Sequence, residues 1–176
     1  MPITSFPPII SPISTVLILG SMPGEMSLRL QQYYAHPRNL FWRIMEDLTG
    51  VPVQADYAER GERLAQTGIA LWDSLRACER PESSLDSRIV VETEEPNDFT
   101  ELLKTYPTIC AICFNGKKSE RVFRKRVLDG ITPSIRQRLD LISLPSTSPA
   151  NARYTYEQKL ARWRVILDYL PVGQAS

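Results

Sequence analysis

The sequence predicts a three-layer α/β/α domain whose central sheet is mostly parallel and has four strands. The first observation is a set of four short apolar runs that end in turn residues, at 16–19, 69–75, 109–114 and 139–144. Helix-length segments separate these runs, and strands joined in this way usually lie parallel, with right-handed crossovers and helices on both faces. The chain has 176 residues, of which 43% are apolar, and this fits one compact domain over residues 1–176.

Capping and breaking residues set the other boundaries. Prolines at four positions exclude a regular helix from residues 1–14 and predict an extended lead-in to the first strand. Ser27 is expected to cap a short segment over 28–33, and Gly50 is expected to end a helix that starts at Asn39. Further helices are predicted at 55–66, at 99–105 behind a Pro96-Asn97-Asp98 cap, at 119–128 and at 156–170.

A turn-rich loop, Gly20-Ser21-Met22-Pro23-Gly24, follows the first predicted strand. Ligands of open α/β sheets bind at the carboxyl ends of the strands, so this loop predicts a pocket. Other strand ends supply further polar residues, with Asp73 after the second strand, Asn115 after the third and Ser146 to Asn151 after the fourth. The loop lacks the glycine pattern of a dinucleotide site and the lysine of a phosphate loop, which disfavours an enzyme that uses a nucleotide cofactor.

Charge and composition narrow the class of protein only slightly. The net charge is +1, from 21 basic and 20 acidic residues, so any DNA-binding surface must arise from the placement of charges. The sequence has no apolar run of 18 residues and no signal-peptide pattern, and a cytoplasmic protein is expected. Cys110 and Cys113 lie in a predicted strand and are interpreted as buried thiols. With one histidine in the chain, neither a metal site nor a cofactor is expected.

Two motifs carry a family resemblance. The first is the Gly20–Gly24 loop followed by Tyr34-Ala35-His36-Pro37-Arg38-Asn39-Leu40-Phe41-Trp42, and the second is Leu144-Pro145-Ser146-Thr147-Ser148-Pro149-Ala150-Asn151-Ala152. Together they resemble the uracil-DNA glycosylase superfamily, most closely its hypoxanthine (deoxyinosine) branch, with a likeness to the mismatch-specific branch. The resemblance extends from about residue 13 to about residue 167.

The resemblance implies roles for the first motif. Tyr34 would stack on the damaged base, and backbone amides near Ser21 and Met22 would stabilise the departing base. The mismatch-specific enzymes hold the catalytic water with an asparagine where this chain has Met22, so the resemblance to the hypoxanthine branch places that role on Asn39. The implied base-binding residues are Gly20, Ser21, Met22, Pro23, Gly24, Tyr34, His36 and Asn115. Asn39 could instead be a helix cap and His36 a structural turn residue.

The second motif is expected to contact DNA as the base is turned out. Ser146 and Ser148 suit phosphate contacts, and Pro149 with Ala150 would form a small wedge. The implied DNA-binding residues are Ser146, Thr147, Ser148, Pro149, Ala150, Asn151, Arg153, Lys117 and Lys118. A serine- and proline-rich turn with no function, and charges that merely face solvent, are the alternatives.

The expected function is hydrolysis of the N-glycosidic bond of a deaminated base in single- or double-stranded DNA, with hypoxanthine first and uracil or xanthine as alternatives. A monomeric, monofunctional enzyme that leaves an abasic site is expected, because no lysine is placed to form a Schiff base. Lys117 and Lys118 lie beside an exposed loop, and the helices should turn Lys104, Lys125 and Lys159 toward solvent. Three other functions stay open: a mismatch-specific uracil/thymine glycosylase, a nucleoside-processing hydrolase and an inactive DNA-binding relative.

Overall fold

The computed structural model describes residues 1–172. Its strands are β1 (Ile3–Thr4), β2 (Val16–Gly20), β3 (Ile69–Asp73), β4 (Leu75–Cys78), β5 (Glu95–Pro96), β6 (Ala111–Asn115) and β7 (Asp140–Leu144). Its α-helices are α1 (Glu25–Leu30), α2 (Phe41–Thr49), α3 (Tyr57–Gln66), α4 (Phe99–Thr105), α5 (Lys117–Val122), α6 (Pro133–Arg136) and α7 (Tyr156–Trp163). None of these helices is both long enough and apolar enough to cross a membrane.

The central sheet has four parallel strands in the order β3-β2-β6-β7, which confirms the predicted fold class. Alternate residues of β2 point to opposite faces. Val16 and Ile18 pack against residues of α2, α3 and α7, whereas Leu17 and Leu19 pack against residues of α4 and the segment after α5. Because both faces are covered, the strand residues are apolar without alternation.

A second, antiparallel sheet, with the order β1-β4-β5, was not predicted from the sequence. Two of its strands have two residues each, too few to show a periodicity, and β4 follows β3 after the single residue Ser74. Near the N-terminus, Ile3 pairs with Cys78 and Ile9 bridges to Leu71, while residues 12–13 form a turn. The connection from β4 to β5, residues 79–94, forms one side of the site described below.

Several helix boundaries differ from the predictions. α2 begins at Phe41 behind the N-cap Leu40, not at Asn39, and α3 begins at Tyr57 behind the N-cap Asp56. α1 begins at Glu25, and Ser27 is no cap but lies inside the helix, where its hydroxyl accepts a hydrogen bond from the Ala35 amide at 3.1 Å. The predicted basic helix begins at Lys117 and passes into a π-helical turn over Phe123–Val127. The last helix is α-helical only to Trp163 and continues as a 3₁₀ helix over Arg164–Tyr169. α2 ends at Gly50, as predicted, in a left-handed conformation with a φ of 74°.

Candidate active site

A pocket of about 440 Å³ opens at the carboxyl edge of the central sheet, where the sequence predicts it. Its walls come from four stretches of chain that are distant in sequence: the Gly20–Gly24 loop, the segment from Tyr33 to Asn39, residues 84–87 and residues 146–151. Met26, Ser27, Asp73 and Asn115 also line it. The structure therefore brings together all the predicted base-binding residues and most of the second motif.

The register of the sheet sets the floor of the pocket. Gly20 is paired with Asp73, and Asn115 is paired with Leu144, so the strands end at one level. Gly20 has no room for a side chain, because an added Cβ would lie 2.5 Å from Asp73 Oδ1 and 3.1 Å from Tyr34 Oη. The absence of a side chain at Gly20 therefore leaves space above the end of β2 for both the Asp73 carboxyl and the Tyr34 hydroxyl.

Asn115 joins the two motifs. Its side-chain Nδ2 donates to Thr147 Oγ1 at 3.0 Å, and the Thr147 amide donates to Asn115 Oδ1 at 2.9 Å. The Leu40 amide also donates to the Thr147 carbonyl at 3.1 Å. The Asn115 amide group is thus engaged in holding the second motif, which limits its hydrogen-bonding capacity toward a base.

Asp73 was noted in the sequence only as a strand-end residue, yet its environment is unusual for a carboxyl group. The residue is 3% exposed, and its Oδ2 atom is buried with no hydrogen-bond partner among residues 1–172. Burial raises the pKa of Asp73 to about 8, the nearby Asp86 carboxylate raises it further, and Arg80 opposes the shift. Asp73 therefore holds a proton near neutral pH and presents a neutral carboxyl group beside the pocket.

Asp86 is a second carboxyl group that sequence analysis missed. The residue as a whole is exposed, but its carboxyl is turned inward and accepts a hydrogen bond from Ser21 Oγ at 2.6 Å. Loss of solvent around this carboxyl raises its pKa, whereas the Ser21 bond and the charge of Arg80 lower it. Arg80 is itself buried and donates to the Pro23 carbonyl. The first-motif loop is thus tied to the connection between β4 and β5.

Tyr34 forms an aromatic wall. Its ring stacks on that of Phe41, with centroids 4.2 Å apart and an interplanar angle of 23°. Its φ of 55° lies in the left-handed region, which tyrosine rarely adopts. Burial and the nearby charge of Asp73 raise the pKa of its hydroxyl, which makes no hydrogen bond within the described part of the chain. The Asn115 side chain is near enough to lower the pKa of the Tyr34 hydroxyl, but the two groups do not have the geometry of a hydrogen bond.

The turn from His36 to Asn39 places the predicted water-binding group. The Arg38 amide donates to His36 Nδ1 at 3.1 Å, and the Asn39 amide donates to the His36 carbonyl at 2.8 Å. Asn39 Oδ1 accepts from the Phe41 amide at 3.0 Å, just before α2. Asn39 is therefore not the N-cap of α2, which is Leu40, but its side chain does bond the first amide of the helix. An amide oxygen has a second lone pair, so one acceptor site of Asn39 is left for a ligand.

The second-motif loop is held mainly by its own hydroxyl and amide groups. Ser146 Oγ accepts from the Ser148 amide at 3.2 Å, and Ser148 Oγ accepts from the Ala150 amide at 3.2 Å. Asn151 Nδ2 donates to the Ser146 carbonyl at 3.1 Å, while Lys159 Nζ donates to the Asn151 carbonyl at 2.9 Å. Both serine hydroxyls act as acceptors here, which leaves their hydrogens free to be donated to a phosphate.

The structure corrects the interpretation of three residues. Lys118, expected beside an exposed loop, is 8% exposed, and its ammonium pairs with Glu94. Thr147 is 1% exposed and is occupied by Asn115, so it has no free side-chain face for DNA. Lys159 was expected on a solvent-facing surface of its helix, but it is 2% exposed beneath the second-motif loop. Lys117 and Arg153 are exposed, as expected for DNA contacts, but neither lines the pocket.

Met22, which stands where the mismatch-specific enzymes have a water-binding asparagine, has a buried side chain. It is 6% exposed and packs into an apolar cluster with Leu75, Cys78, Ile89 and Val122. Its side chain therefore stabilises the junction with the small sheet. No hydrogen bond donated by the Ser21 or Met22 amide is found among residues 1–172.

The pocket has no arrangement suited to a metal ion. Over residues 1–172 no group of three or more His, Cys, Asp or Glu side chains is close enough to bind one. Its chemical resources are a stacked aromatic ring, unused backbone amides, a neutral carboxyl group and a side-chain amide.

The fold and the site define an α/β protein whose pocket lies at the carboxyl edge of a parallel sheet and has an aromatic wall and a polar floor. The comparisons identify the family within this class. The model of the uracil DNA glycosylase superfamily matches residues 7–169, and the chain belongs to that superfamily.

Relatives of known sequence and structure agree with this assignment. The chain is 35% identical over 165 residues to a hypoxanthine DNA glycosylase of Methanosarcina acetivorans, an alignment that covers 93% of this chain and 97% of the relative. It is 43% identical over 115 residues to a hypoxanthine DNA glycosylase of Methanosarcina barkeri, covering 65% and 71% of the two chains. A solution NMR structure from Methanosarcina acetivorans, assigned provisionally as a uracil DNA glycosylase, superposes with a TM-score of 0.75 and 33% identity, covering 95% of this chain and 99% of the other.

Proposed function

We propose that this protein hydrolyses the N-glycosidic bond of hypoxanthine in DNA and leaves an abasic site. The superfamily assignment supports a DNA glycosylase, and two relatives are hypoxanthine DNA glycosylases. The single observation that carries the proposal is that Asn39 lines the same pocket as Tyr34, while Met22 is packed in an apolar cluster. Together with the resemblance to the hypoxanthine branch, this observation supports the assignment of the water-holding role to Asn39.

The proposed reaction needs little covalent help from the protein. The extruded base stacks on the face of Tyr34 that is opposite Phe41, so that three rings are layered. As the bond between C1′ and the base breaks, its electron pair moves onto the base, and the amides of Ser21 and Met22 stabilise that charge in the manner of an oxyanion hole.

Asn39 completes the proposed reaction by positioning a water molecule with the free lone pair of Oδ1. The water oxygen bonds to C1′ of the oxocarbenium-like sugar, one water proton stays on the new hydroxyl group, and the other is transferred through solvent to the departed base. The products are free hypoxanthine and an abasic site. No proton or electron is left over, and the protein is unchanged.

The proposed enzyme is monofunctional. A strand-nicking glycosylase needs an amine that can attack C1′, usually a lysine in a desolvated site. Burial lowers the pKa of Lys159, which makes it the chemically suitable amine, but its Nζ is hydrogen-bonded to the Asn151 carbonyl. Within residues 1–172 no lysine lines the pocket.

Oligonucleotides that carry one hypoxanthine, uracil or xanthine test the proposal. The protein should release hypoxanthine fastest, with EDTA present, and strands should break only after alkali treatment. Free deoxyinosine is the control and should stay intact. Release of hypoxanthine from the nucleoside alone would point to a nucleoside hydrolase, and a covalent protein–DNA adduct trapped by borohydride would refute the monofunctional mechanism.

A further inference from the structure

Leu85 is an exposed apolar residue at the edge of the pocket. Its side chain belongs to residues 84–87 in the connection between β4 and β5, and it is 49% exposed. Five other large apolar residues are comparably or more exposed within residues 1–172, namely Met1, Ile13, Leu30, Val91 and Val172. None of these five lines the pocket. An exposed leucine costs little on a surface, but its position here places it where a DNA substrate must approach.

The segment around Leu85 is held firmly against the first-motif loop. On one side of Leu85, the Glu25 amide donates to Ser84 Oγ at 2.9 Å. On the other side, Ser21 Oγ donates to Asp86 Oδ1 at 2.6 Å. Gly24 and Ser84 are so close that a Cβ on Gly24 would lie 3.3 Å from Ser84 Oγ. Leu85 is therefore an apolar side chain on a tethered turn, and its position relative to the pocket is fixed.

The second-motif loop offers only small apolar groups to the pocket. Among the second-motif residues that line the pocket, the exposed apolar ones are Pro149 and Ala150. A protein that turns a base out of a duplex must separate it from its stacked neighbours, and leucine is among the side chains that serve as wedges between base steps. Leu85 is larger than Pro149 or Ala150, and it faces solvent at the same opening.

We propose that Leu85 inserts into the DNA base stack beside the extruded nucleotide and, together with Pro149 and Ala150 on the other side, keeps the vacated space closed. This inference rests on the proposed function, because it assigns the partner of Leu85 as a duplex that contains a damaged base. Insertion removes the exposed side chain from water, and the two hydrogen bonds of the turn keep it from folding away. The first and second motifs then hold the nucleotide from two sides of one pocket.

The test compares Leu85→Ala with Leu30→Ala on duplex and single-stranded oligonucleotides that carry hypoxanthine. Leu30 is the matched control because it is 48% exposed, lies on α1 and does not line the pocket. For Leu85→Ala, single-turnover excision from the duplex should fall about tenfold or more, while excision from the single strand should change less than about twofold. Leu30→Ala should match the wild type on both, and all three proteins should melt at the same temperature.

A second readout does not need turnover. A 2-aminopurine next to the hypoxanthine should brighten when the wild type or Leu30→Ala binds the duplex, and it should brighten less with Leu85→Ala. Equal losses by Leu85→Ala on both substrates, or no loss on the duplex, would overturn the inference. Failure of the wild type to excise from either substrate would instead refute the proposed function, and the fluorescence comparison would still decide the role of Leu85.

Discussion

Tyr34 shows how a single residue is adapted to the site. Its left-handed backbone conformation, with a φ of 55°, costs about 1–3 kcal/mol for a residue with a side chain. In return, the ring lies against Phe41 on one face and lines the pocket. The buried ring of Phe41 supports it from behind, so Tyr34 needs no rearrangement to receive a planar ligand.

We expect Tyr34→Ala to weaken capture of the base, because stacking on an aromatic ring contributes roughly 1–3 kcal/mol per base. Tyr34→Phe should bind nearly as well as the wild type, and it also removes a hydroxyl that has no partner within residues 1–172. Equilibrium binding of both variants to DNA with a non-hydrolysable deoxyinosine analogue measures the difference. Equally severe losses in the two variants would show that the hydroxyl, not the ring, is needed.

Asp73 predicts a specific pH dependence of stability. Its pKa is about 8 in the folded protein and about 3.9 in an unfolded chain, so the folded state keeps a proton that the unfolded state loses. The stability that this group contributes is complete below about pH 4 and is lost as the pH rises through about 8. Asp73→Asn should therefore gain melting temperature over the wild type as the pH is raised from 5 to 9.

Thermal melts of the wild type and Asp73→Asn at intervals across that range provide the measurement. Asp129→Asn is the control for the loss of one acidic group, because the Asp129 side chain is 94% exposed. A constant difference between Asp73→Asn and the wild type at every pH would mean that the Asp73 carboxyl is already ionised at pH 5.

At the scale of elements, the end of β2 controls the shape of the site. Gly20 is needed there for space, since a Cβ would meet Asp73 Oδ1 and Tyr34 Oη. Gly20→Ala should cost about 1–3 kcal/mol of stability, as overpacking of a close-packed region does, and should lower excision by displacing Tyr34. Gly130→Ala is the control, because no atom lies within 4 Å of its added Cβ.

Chemical denaturation and single-turnover excision should be measured on both glycine variants. If Gly20→Ala were as stable and active as Gly130→Ala, the floor of the pocket would have to be looser than the contacts of Asp73 and Tyr34 indicate.

The elements of the central sheet could be predicted because each strand is a continuous apolar run between turn residues, and both faces are buried. The small sheet could not, because β1 and β5 are only two residues long. This omission also hid Asp86 and Leu85, which reach the pocket from the connection between β4 and β5. The burial of Lys118 and Lys159 could not be predicted, because the sequence shows that a helix residue is polar but not which group it contacts in the fold. Lys118 pairs with the Glu94 carboxylate, and Lys159 donates to the Asn151 carbonyl.

At the scale of the whole molecule, the parallel sheet gathers residues that lie far apart in sequence. Ser21, Asp73, Asn115 and Ser146 follow successive apolar strands, and the parallel arrangement puts all of them at one edge. This convergence could be predicted from topology alone. The raised pKa of Asp73 could not, because it depends on burial and on Asp86, which only the folded arrangement brings near.

Asn39 has both a structural contact and a proposed chemical role. Its Oδ1 accepts from the Phe41 amide, so its loss affects both the start of α2 and any bound water. Asn39→Ser separates these roles. A serine hydroxyl can still accept from the Phe41 amide, whereas Asn39→Ala loses that hydrogen bond at a cost of about 0.5–1.5 kcal/mol. Both variants lack the side-chain amide oxygen to which the water-holding role is assigned.

The most direct test of the central claim is the single-turnover rate of hypoxanthine excision by the wild type, Asn39→Ser and Asn39→Ala, with the melting temperature of each sample. Asn39→Ser should melt near the wild-type temperature and yet excise about 10²-fold more slowly or worse, as loss of a positioning group commonly causes. Asn39→Ala should be as slow and less stable. A wild-type excision rate in folded Asn39→Ser would contradict this assignment and leave Asn39 with only a structural role, as the acceptor for the Phe41 amide.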